Sequence, residues 1–225
     1  MKKTIVATIL FTILGINYMF SQSVGFSYFF PKNGYFSNPI APINISLPIK
    51  FGKYLQISPG IGLSNIGGMS MSGFPTQYKS NIPLVGSFQS FEINVLPGFV
   101  LPFKNIKFEI SGGGFAFTSF NTKIIYGNFN NMIAQANNYD FVNTNVSIDK
   151  DFFGYGFIFG SKISFRVRNS VWGYIGANYY MGSQKMALEG NYTAVKNNLI
   201  TSHDFSFPET KILYHGLQIS VGAIF

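Results

Sequence analysis

Apolar and polar residues alternate along most of this chain, and the alternation is clearest in its last nine residues. Apolar side chains occupy every second position there: Leu217, Ile219, Val221, Ala223 and Phe225. Because a strand points successive side chains to opposite faces, this segment predicts a strand with one apolar and one small or polar face. Such a strand is typical of a transmembrane β-barrel wall, with lipid outside and a packed or hydrated lumen inside.

The same period of two predicts eight strands in all. They cover about residues 22–31, 40–50, 54–65, 88–103, 106–119, 152–167, 170–182 and 209–225. In the seventh strand, Asn178 indicates that Trp172, Tyr174 and Tyr180 face inward with it. Segments 122–126 and 142–148 are candidates for extending strands five and six, and ten strands is the alternative count. Prolines at positions 48, 59, 97 and 102 are interpreted as bulges, because proline cannot donate to a ladder.

The predicted connections differ in length on the two sides of the barrel. Those at 50–53, 104–105 and 168–169 are tight and basic, whereas those at 66–87, 120–151 and 183–208 are long and rich in Asn, Ser and Gly. Short turns on one side and long loops on the other are typical of outer-membrane barrels, whose long loops lie outside the cell. An even number of strands then places both termini in the periplasm.

The N-terminus has the pattern of a secretory signal peptide. Lys2 and Lys3 precede a short apolar stretch from Ile5 to Ile16, and small residues follow it. We therefore predict a signal peptide over residues 1–21 and one barrel domain over residues 22–225.

Composition supports the membrane assignment. The 225 residues include 18% aromatics, 24 glycines and only 11% charged residues, against about 25% in globular proteins. Helical spans need about 20 consecutive apolar residues, and no such run follows the first twenty positions. The net charge is +8, or +6 without the two lysines of the signal peptide. The excess is assigned to the periplasmic end and the outer loops, where lysines can meet anionic head groups or lipopolysaccharide phosphates. Nucleic acid is not expected as a partner at this location.

Five charged side chains fall on the inward face of the predicted strands: Glu92, Lys107, Glu109, Lys162 and Arg166. An eight-stranded barrel is just wide enough for side chains to fill it. These charges are therefore expected to form a structural ionic network in the lumen, with Glu109 reaching Lys162 or Arg166 across neighbouring strands. The functional alternative is a gate that passes small ions.

Residues for catalysis or cofactor binding are scarce. The chain has two histidines and no cysteine, which argues against a metal site of the usual spacing, and no cofactor is expected. Ser202, His203 and Asp204 supply the components of a nucleophilic triad, but adjacent residues in a loop rarely reach its geometry. We therefore expect a protein without enzymatic activity rather than a lipid A-modifying enzyme.

The whole mature chain resembles the small OmpA/OmpX-like barrels and, more loosely, porin-family and PorT-type outer-membrane β-barrel proteins of Gram-negative bacteria. The features that carry the resemblance are the signal peptide, the eight alternating strands, the unequal connections and the terminal Phe225. The resemblance implies an integral protein of the cell outer membrane whose terminal segment, Leu217 to Phe225, is read by the barrel-assembly machinery. Members serve in membrane stability, adhesion, surface binding or secretion, so the resemblance implies fold and location rather than one activity.

The long connections also contain aromatic residues suited to docking on a partner at the cell surface. These are Tyr126, Phe129, Tyr139, Phe141, Tyr192 and Phe205. The sequence thus predicts a non-enzymatic outer-membrane barrel with a structural or surface-interaction role. One alternative is an accessory subunit of an outer-membrane secretion or assembly machine, and another is a narrow channel or small-ligand transporter.

Overall fold

The computed structural model of the protein describes residues 22–34, 43–78, 80, 82–168 and 170–225. The expected signal peptide over residues 1–21 lies outside these ranges, as do residues 40–42 of the second predicted strand. The described residues form twelve strands and one helix. In chain order these are β1 Ser23–Pro31, β2 Ile43–Ser46, β3 Ile49–Phe51, β4 Leu55–Ile66, β5 Met71–Ser72, β6 Val85–Pro102, β7 Ile106–Ile124, α1 Tyr126–Asn137, β8 Phe141–Lys150, β9 Gly154–Arg166, β10 Trp172–Lys196, β11 Leu199–Phe207 and β12 Lys211–Ile224.

Eight strands close into a ring in which each is antiparallel to the next. Their order is β1, β2, β4, β6, β7, β9, β10 and β12, and β3 continues β2 along the same edge of β4. The last strand returns to the first, with Ser23 opposite Ile224 and Pro31 opposite Gly216. The predicted eight-stranded up-and-down barrel is confirmed, and the alternative of ten strands in the wall is not.

The two ends of the barrel are different. Gln22 and Phe225 exchange backbone hydrogen bonds of 3.2 and 2.8 Å at one end, so the first and last strands begin and finish side by side. The same end contains the short connections 52–54, 103–105 and 167–171. We call it the turn end, and we call the opposite end the loop end.

Exposure alternates along the wall strands as the sequence predicted. In β12, Leu217, Ile219 and Val221 are 40%, 41% and 51% exposed, whereas Gln218 and Ser220 are 3% and 7% exposed. The apolar positions therefore face outward and the polar positions face the lumen. Exposed outward aromatics lie at both rims, including Phe51, Phe103, Phe120 and Tyr155. An apolar exterior with aromatic girdles is the arrangement that a bilayer requires of a barrel.

The prolines do not act as bulges. The pairing of β4 with β6 keeps one register from Leu55 opposite Phe99 to Ile66 opposite Phe88, through both Pro59 and Pro97. The register shifts instead lie in the β6–β7 pair, between Val85 and Ser87 and between Gln89 and Ser90. Each proline removes one donor from the ladder without inserting an extra residue, so the bulge interpretation was wrong.

Strand β10 is 25 residues long, and its two halves have different neighbours. Its first half pairs with β9 and β12 in the wall, and its second half pairs with β8 and β11 beyond the wall. At about 3.3 Å per residue the strand is roughly 80 Å long, far more than the hydrocarbon thickness of about 30 Å. It must therefore extend well beyond the membrane at the loop end.

The part beyond the wall is a folded unit, which we call the cap: α1, β8, residues 186–196 of β10, and β11. Helix residues Phe129, Met132 and Ile133 are buried in one hydrophobic cluster with Leu188, Phe207 and other residues of the cap sheet. The connections predicted as long loops at 120–151 and 183–208 are thus mostly structured. Strand extension is confirmed over 122–124 and 142–148, whereas position 126 begins a helix.

No helix in the described part of the chain is both long enough and apolar enough to span a membrane.

Candidate functional site

Six aromatic side chains fill the lumen on the side of the loop end. They are Phe29, Phe88, Phe115, Phe117, Tyr180 and Tyr214. They come from β1, β6, β7, β10 and β12, and each is at most 8% exposed. The Tyr214 ring lies 4.9 Å from Phe117, 5.1 Å from Phe29 and 5.9 Å from Phe88, measured between centroids. We call this group the aromatic plug. Because its rings meet from several sides of the wall, it closes the lumen at this level.

Glycines in the facing strands make room for the plug. A Cβ at Gly216 would lie 2.6 Å from a Phe29 ring carbon, and one at Gly182 would lie 2.6 Å from Phe115. A Cβ at Gly154 would be 2.3 Å from Phe117. The inward glycines of β9, β10 and β12 therefore leave the space that the inward aromatic rings of β1 and β7 occupy.

Glu92 lies directly beneath the plug and is 2% exposed. Tyr180 donates to its Oε1 at 3.1 Å, and Tyr214 donates to its Oε2 at 3.3 Å. Asn94 Nδ2 donates to Oε1 at 3.3 Å. The ion pairs within the described residues are Lys162–Glu109 and Lys185–Glu209, so Glu92 has no cationic partner there. Its two oxygens are satisfied by neutral donors that tie three strands together across the lumen.

Below Glu92 is a polar chamber of about 80 Å³. Asn94, Asn178 and Gln218 line it together with Glu109 and Lys162. Lys162 Nζ lies 2.9 Å from Glu109 Oε2, and the two residues are direct cross-strand partners in β9 and β7. The pair is therefore one of the two contacts that the strand pattern predicted for Glu109.

The lumen widens at the turn end into a second chamber of about 330 Å³, which we call the mouth chamber. Lys50, Lys53, Lys107 and Lys162 line it, with Glu109 as its carboxylate. The Lys107 Nζ lies 3.5 Å above the centre of the Trp172 ring. Arg166 is the register partner of Trp172 in the adjacent strand and is solvent-exposed.

Four of the five charged residues predicted to share a network lie near one another at the turn end, and Glu92 lies apart from them. Glu109 and Lys162 form an ion pair, Lys107 contacts an aromatic ring, and Glu92 lies apart among tyrosines. Glu92 is thus outside the cluster that the other four form, and the structural role of the network stays a prediction. The alternation of side chains along each strand places all five charged residues on the inward face. It does not show which of them meet across the lumen.

Most of the predicted docking aromatics stabilise the cap itself. Phe129 is fully buried and Tyr192 is 7% exposed. Tyr139 and Phe205 pack on the same hydrophobic cluster. The hypothesis that these four are free docking residues is therefore corrected, because α1 and the cap sheet enclose them. Tyr126 and Phe141 remain accessible, with 48% and 61% exposure.

The exposed tip of the cap adds to Phe141 three residues that the sequence interpretation missed: Val195, Leu199 and Ile200. Phe141, Val195 and Ile200 are direct register neighbours on β8, β10 and β11, so they form one row on the outer face of the cap sheet. Ile200 is 74% exposed, and nearby Leu199 is 71% exposed. The sequence signal was Asn197-Asn198, whose φ angles of 49° and 65° fit a two-residue hairpin turn.

The residues considered for a nucleophilic triad do not assemble. Ser202, His203 and Asp204 are consecutive in β11, so the histidine points to the face opposite its two neighbours. His203 Nε2 instead lies 3.0 Å from Thr201 Oγ1 and 3.3 Å from the Tyr139 hydroxyl. Burial, aided by Tyr139, raises the pKa of adjacent Tyr192 to about 12, so this tyrosine is neutral near pH 7.

Comparisons with known proteins identify the architecture. Neither a protein-family model nor a curated protein sequence matches the chain. The outer membrane protein OprG of Pseudomonas aeruginosa matches with a TM-score of 0.53 and 9% identity, over 91% of this chain and 93% of that one. Ail, the attachment invasion locus protein of Yersinia pestis, gives 0.36 and 11% identity over 92% and 96%. A major outer membrane protein from Thermus thermophilus gives 0.40 and 9% over 92% and 99%.

At 9% identity, the OprG match bears on the fold alone. It agrees with the closed antiparallel ring described above. The fold is that of the small outer-membrane β-barrels, as the resemblance in the sequence predicted.

Proposed function

We propose that this protein is a non-enzymatic outer-membrane barrel that presents the cap to a partner at the cell surface. In this proposal residues 1–21 are a removed signal peptide, the loop end lies outside the cell and both termini are periplasmic. Lipid and lipopolysaccharide surround the apolar exterior of the wall. The outward-facing Leu217, Ile219, Val221, Ala223 and Phe225 serve as the signal for the barrel-assembly machinery.

The observation that carries the proposal is the folded cap on a closed barrel. The aromatic plug supports closure, because its six rings are almost completely buried and meet within the lumen. A plugged lumen disfavours the alternative of a narrow channel or transporter. Beyond the wall the chain adds one helix and a three-stranded sheet, whose buried side chains continue the aromatic plug as one hydrophobic cluster.

The recognition surface that we propose is the tip row of Phe141, Val195 and Ile200, with Leu199 beside it. Exposed large apolar side chains grouped on a rigid surface are typical of protein-interaction sites. The outer face of the cap sheet below the row is polar and mostly uncharged, with Asn143, Asn145, Asn191, Thr193 and Ser202. An apolar contact bordered by hydrogen-bonding groups is the usual composition of an interface.

Site-directed crosslinking on intact cells tests this surface, because the chain has no cysteine of its own. Ile200→Cys carrying a short photo-crosslinker should yield an adduct of one defined mass. Adding Phe141→Ser should lower the yield of that adduct, and Lys104→Cys at the turn end should not produce it. Steady conductance of the wild-type protein in planar bilayers, with no adduct at position 200, would contradict the proposal. A constant adduct with a subunit of a larger membrane machine would favour the accessory-subunit alternative.

A further inference from the structure

The mouth chamber has an unbalanced charge. Of its lining residues, Lys50, Lys53, Lys107 and Lys162 are cationic and Glu109 is anionic. Glu109 is already paired with Lys162 at 2.9 Å. Three lysines therefore face one small space without a carboxylate partner among the described residues.

Lys107 is close enough to three other cations at the turn end to be repelled by them. Lys50, Lys162 and Arg166 all act on the charge of Lys107. Like charges in a partly enclosed, low-dielectric space raise the free energy of the folded protein more than the same charges in open water. Such a cluster also concentrates anions from solution.

Aromatic rings offset part of the repulsion between these cations. Lys107 Nζ lies 3.5 Å from the Trp172 ring centre, and Lys53 Nζ lies 5.1 Å from that of Tyr54. A cation–π contact leaves the charge in place, so the electrostatic attraction for an anion remains. Gln56, on the inward face of β4, adds an amide to the lining.

The size and closure of the chamber restrict its ligand. A volume of about 330 Å³ is at the small end of ligand pockets, which span roughly 300–1,000 Å³. The aromatic plug closes the lumen toward the loop end, so a ligand that enters at the turn end must leave by the same route. The geometry therefore favours binding over transport.

We propose that the mouth chamber is a binding site for a small multivalent anion of the phosphate class, held by Lys50, Lys53 and Lys107. Three lysines can surround an oxyanion with two or more charges, and each makes a charge-assisted hydrogen bond to one oxygen. The anion is either a free phosphate compound or the phosphate head group of a lipid that reaches the rim. In the proposed orientation the site faces the periplasm, but the binding itself does not depend on the function proposed for the cap.

Trp172 provides the readout, because it is the only tryptophan in the chain and lies under Lys107. The full mature protein in a non-ionic detergent is titrated with inorganic diphosphate while tryptophan emission is recorded. We expect a saturable change that sodium chloride of equal ionic strength does not reproduce. Calorimetric titration of the same samples measures the affinity independently of the fluorophore.

The matched variants are two double substitutions that remove the same charge. Lys50→Met with Lys53→Met should weaken diphosphate binding by about a hundredfold, because each charged hydrogen bond contributes about tenfold. Lys185→Met with Lys196→Met, both on β10 near or in the cap, should leave binding within about twofold of wild type. The single Lys50→Gln variant serves if the first double variant does not fold, with about a tenfold loss expected.

An unsaturable response, a response equal to that of chloride, or equal affinities in the two double variants would overturn the proposal. Nanodiscs then distinguish the source of the phosphate. Weaker diphosphate binding in phosphatidylcholine discs than in the phosphate-free detergent supports the site and assigns it to a lipid head group. Equal binding in discs and detergent supports the site and assigns it to a soluble anion.

Discussion

Glu109 and Lys162 are opposite one another on β7 and β9, and their side chains meet at 2.9 Å inside the lumen. Their side chains are only 9% and 17% exposed, so each charge depends on the other. The stability losses caused by removing each partner separately should therefore be strongly non-additive.

Lys162→Met should lower the free energy of unfolding by about 3 kcal/mol, because it leaves the Glu109 carboxylate buried without its cation. The double variant with Glu109→Gln should lose less than the sum of the two single losses. Guanidinium unfolding in micelles, followed by Trp172 emission, measures each value. Lys185→Met is the control: its Glu209 partner is 3.5 Å away and both side chains are exposed, so at most about 1 kcal/mol should be lost. Equal losses in the two lysine variants would contradict the structural role of the pair.

The aromatic plug predicts that the wild-type barrel is electrically silent. Phe115→Ala with Phe117→Ala removes two rings from the plug and should open a measurable conductance in planar bilayers. Each substitution should also cost about 3–5 kcal/mol of stability, as core truncations of phenylalanine do. Phe120→Ala is the control on the same strand, because its side chain faces outward and is 60% exposed. Silence of a correctly folded double variant would show that other residues close the lumen.

The glycines that face the plug should tolerate substitution by alanine far less well than a glycine on the outer face. A Cβ at Gly156 would lie 2.2 Å from the Met181 carbonyl oxygen, whereas one at Gly114 would have its nearest neighbour at 3.9 Å. Gly156→Ala should therefore impair assembly, and Gly114→Ala should assemble like wild type. Heat-modifiable migration on a gel measures the folded fraction of each, and equal fractions would count against the steric argument.

The hairpin at the tip of the cap depends on two residues with positive φ, Asn197 and Asn198. Asn198→Gly should preserve the turn, and Asn198→Val should destabilise it by about 1–2 kcal/mol, because a β-branched residue is strained there. Hydrogen exchange of the β11 amides should accelerate in the valine variant while β9 amides keep their protection. Uniform acceleration in both strands would indicate global rather than local loosening.

The proposed orientation predicts opposite labelling of the two ends. A membrane-impermeant maleimide should label Leu199→Cys on intact cells, because position 199 is 71% exposed at the tip of the cap. Lys104→Cys, in a short connection of the turn end, should react only after the outer membrane is permeabilised. Labelling of position 104 but not of position 199 on intact cells would show that the barrel has the opposite orientation, with the same fold.

The strand pattern predicts the wall because lipid and lumen impose opposite demands on alternate residues of every strand. The Glu109–Lys162 contact is one of the two that the strand pattern predicted for Glu109, because inward charges on neighbouring strands lie within reach of each other. The partners of Glu92 were not, since Tyr180 and Tyr214 approach it across the lumen from strands that are not its neighbours. Alternation fixes which face a side chain lies on but not which side chain it meets there.

The cap was interpreted mainly as loops because its alternation is weaker than that of the wall. Its sheet is half-buried under one helix, and its outer face carries Asn, Thr and Ser, residues that are also common in loops. Two signals were nevertheless present. Phe129, Met132 and Ile133 have the spacing of a helix face, and Asn197-Asn198 is a hairpin turn between alternating segments.

The continuity of β10 has a mechanical consequence. One strand runs without interruption from the turn end to the tip of the cap. A pull on the cap reaches the wall through β10 and also through the short connections 151–153 and 208–210, which join β8 to β9 and β11 to β12. Tension applied at the tip is therefore shared among β9, β10 and β12, three neighbouring strands of the wall, instead of falling on one strand.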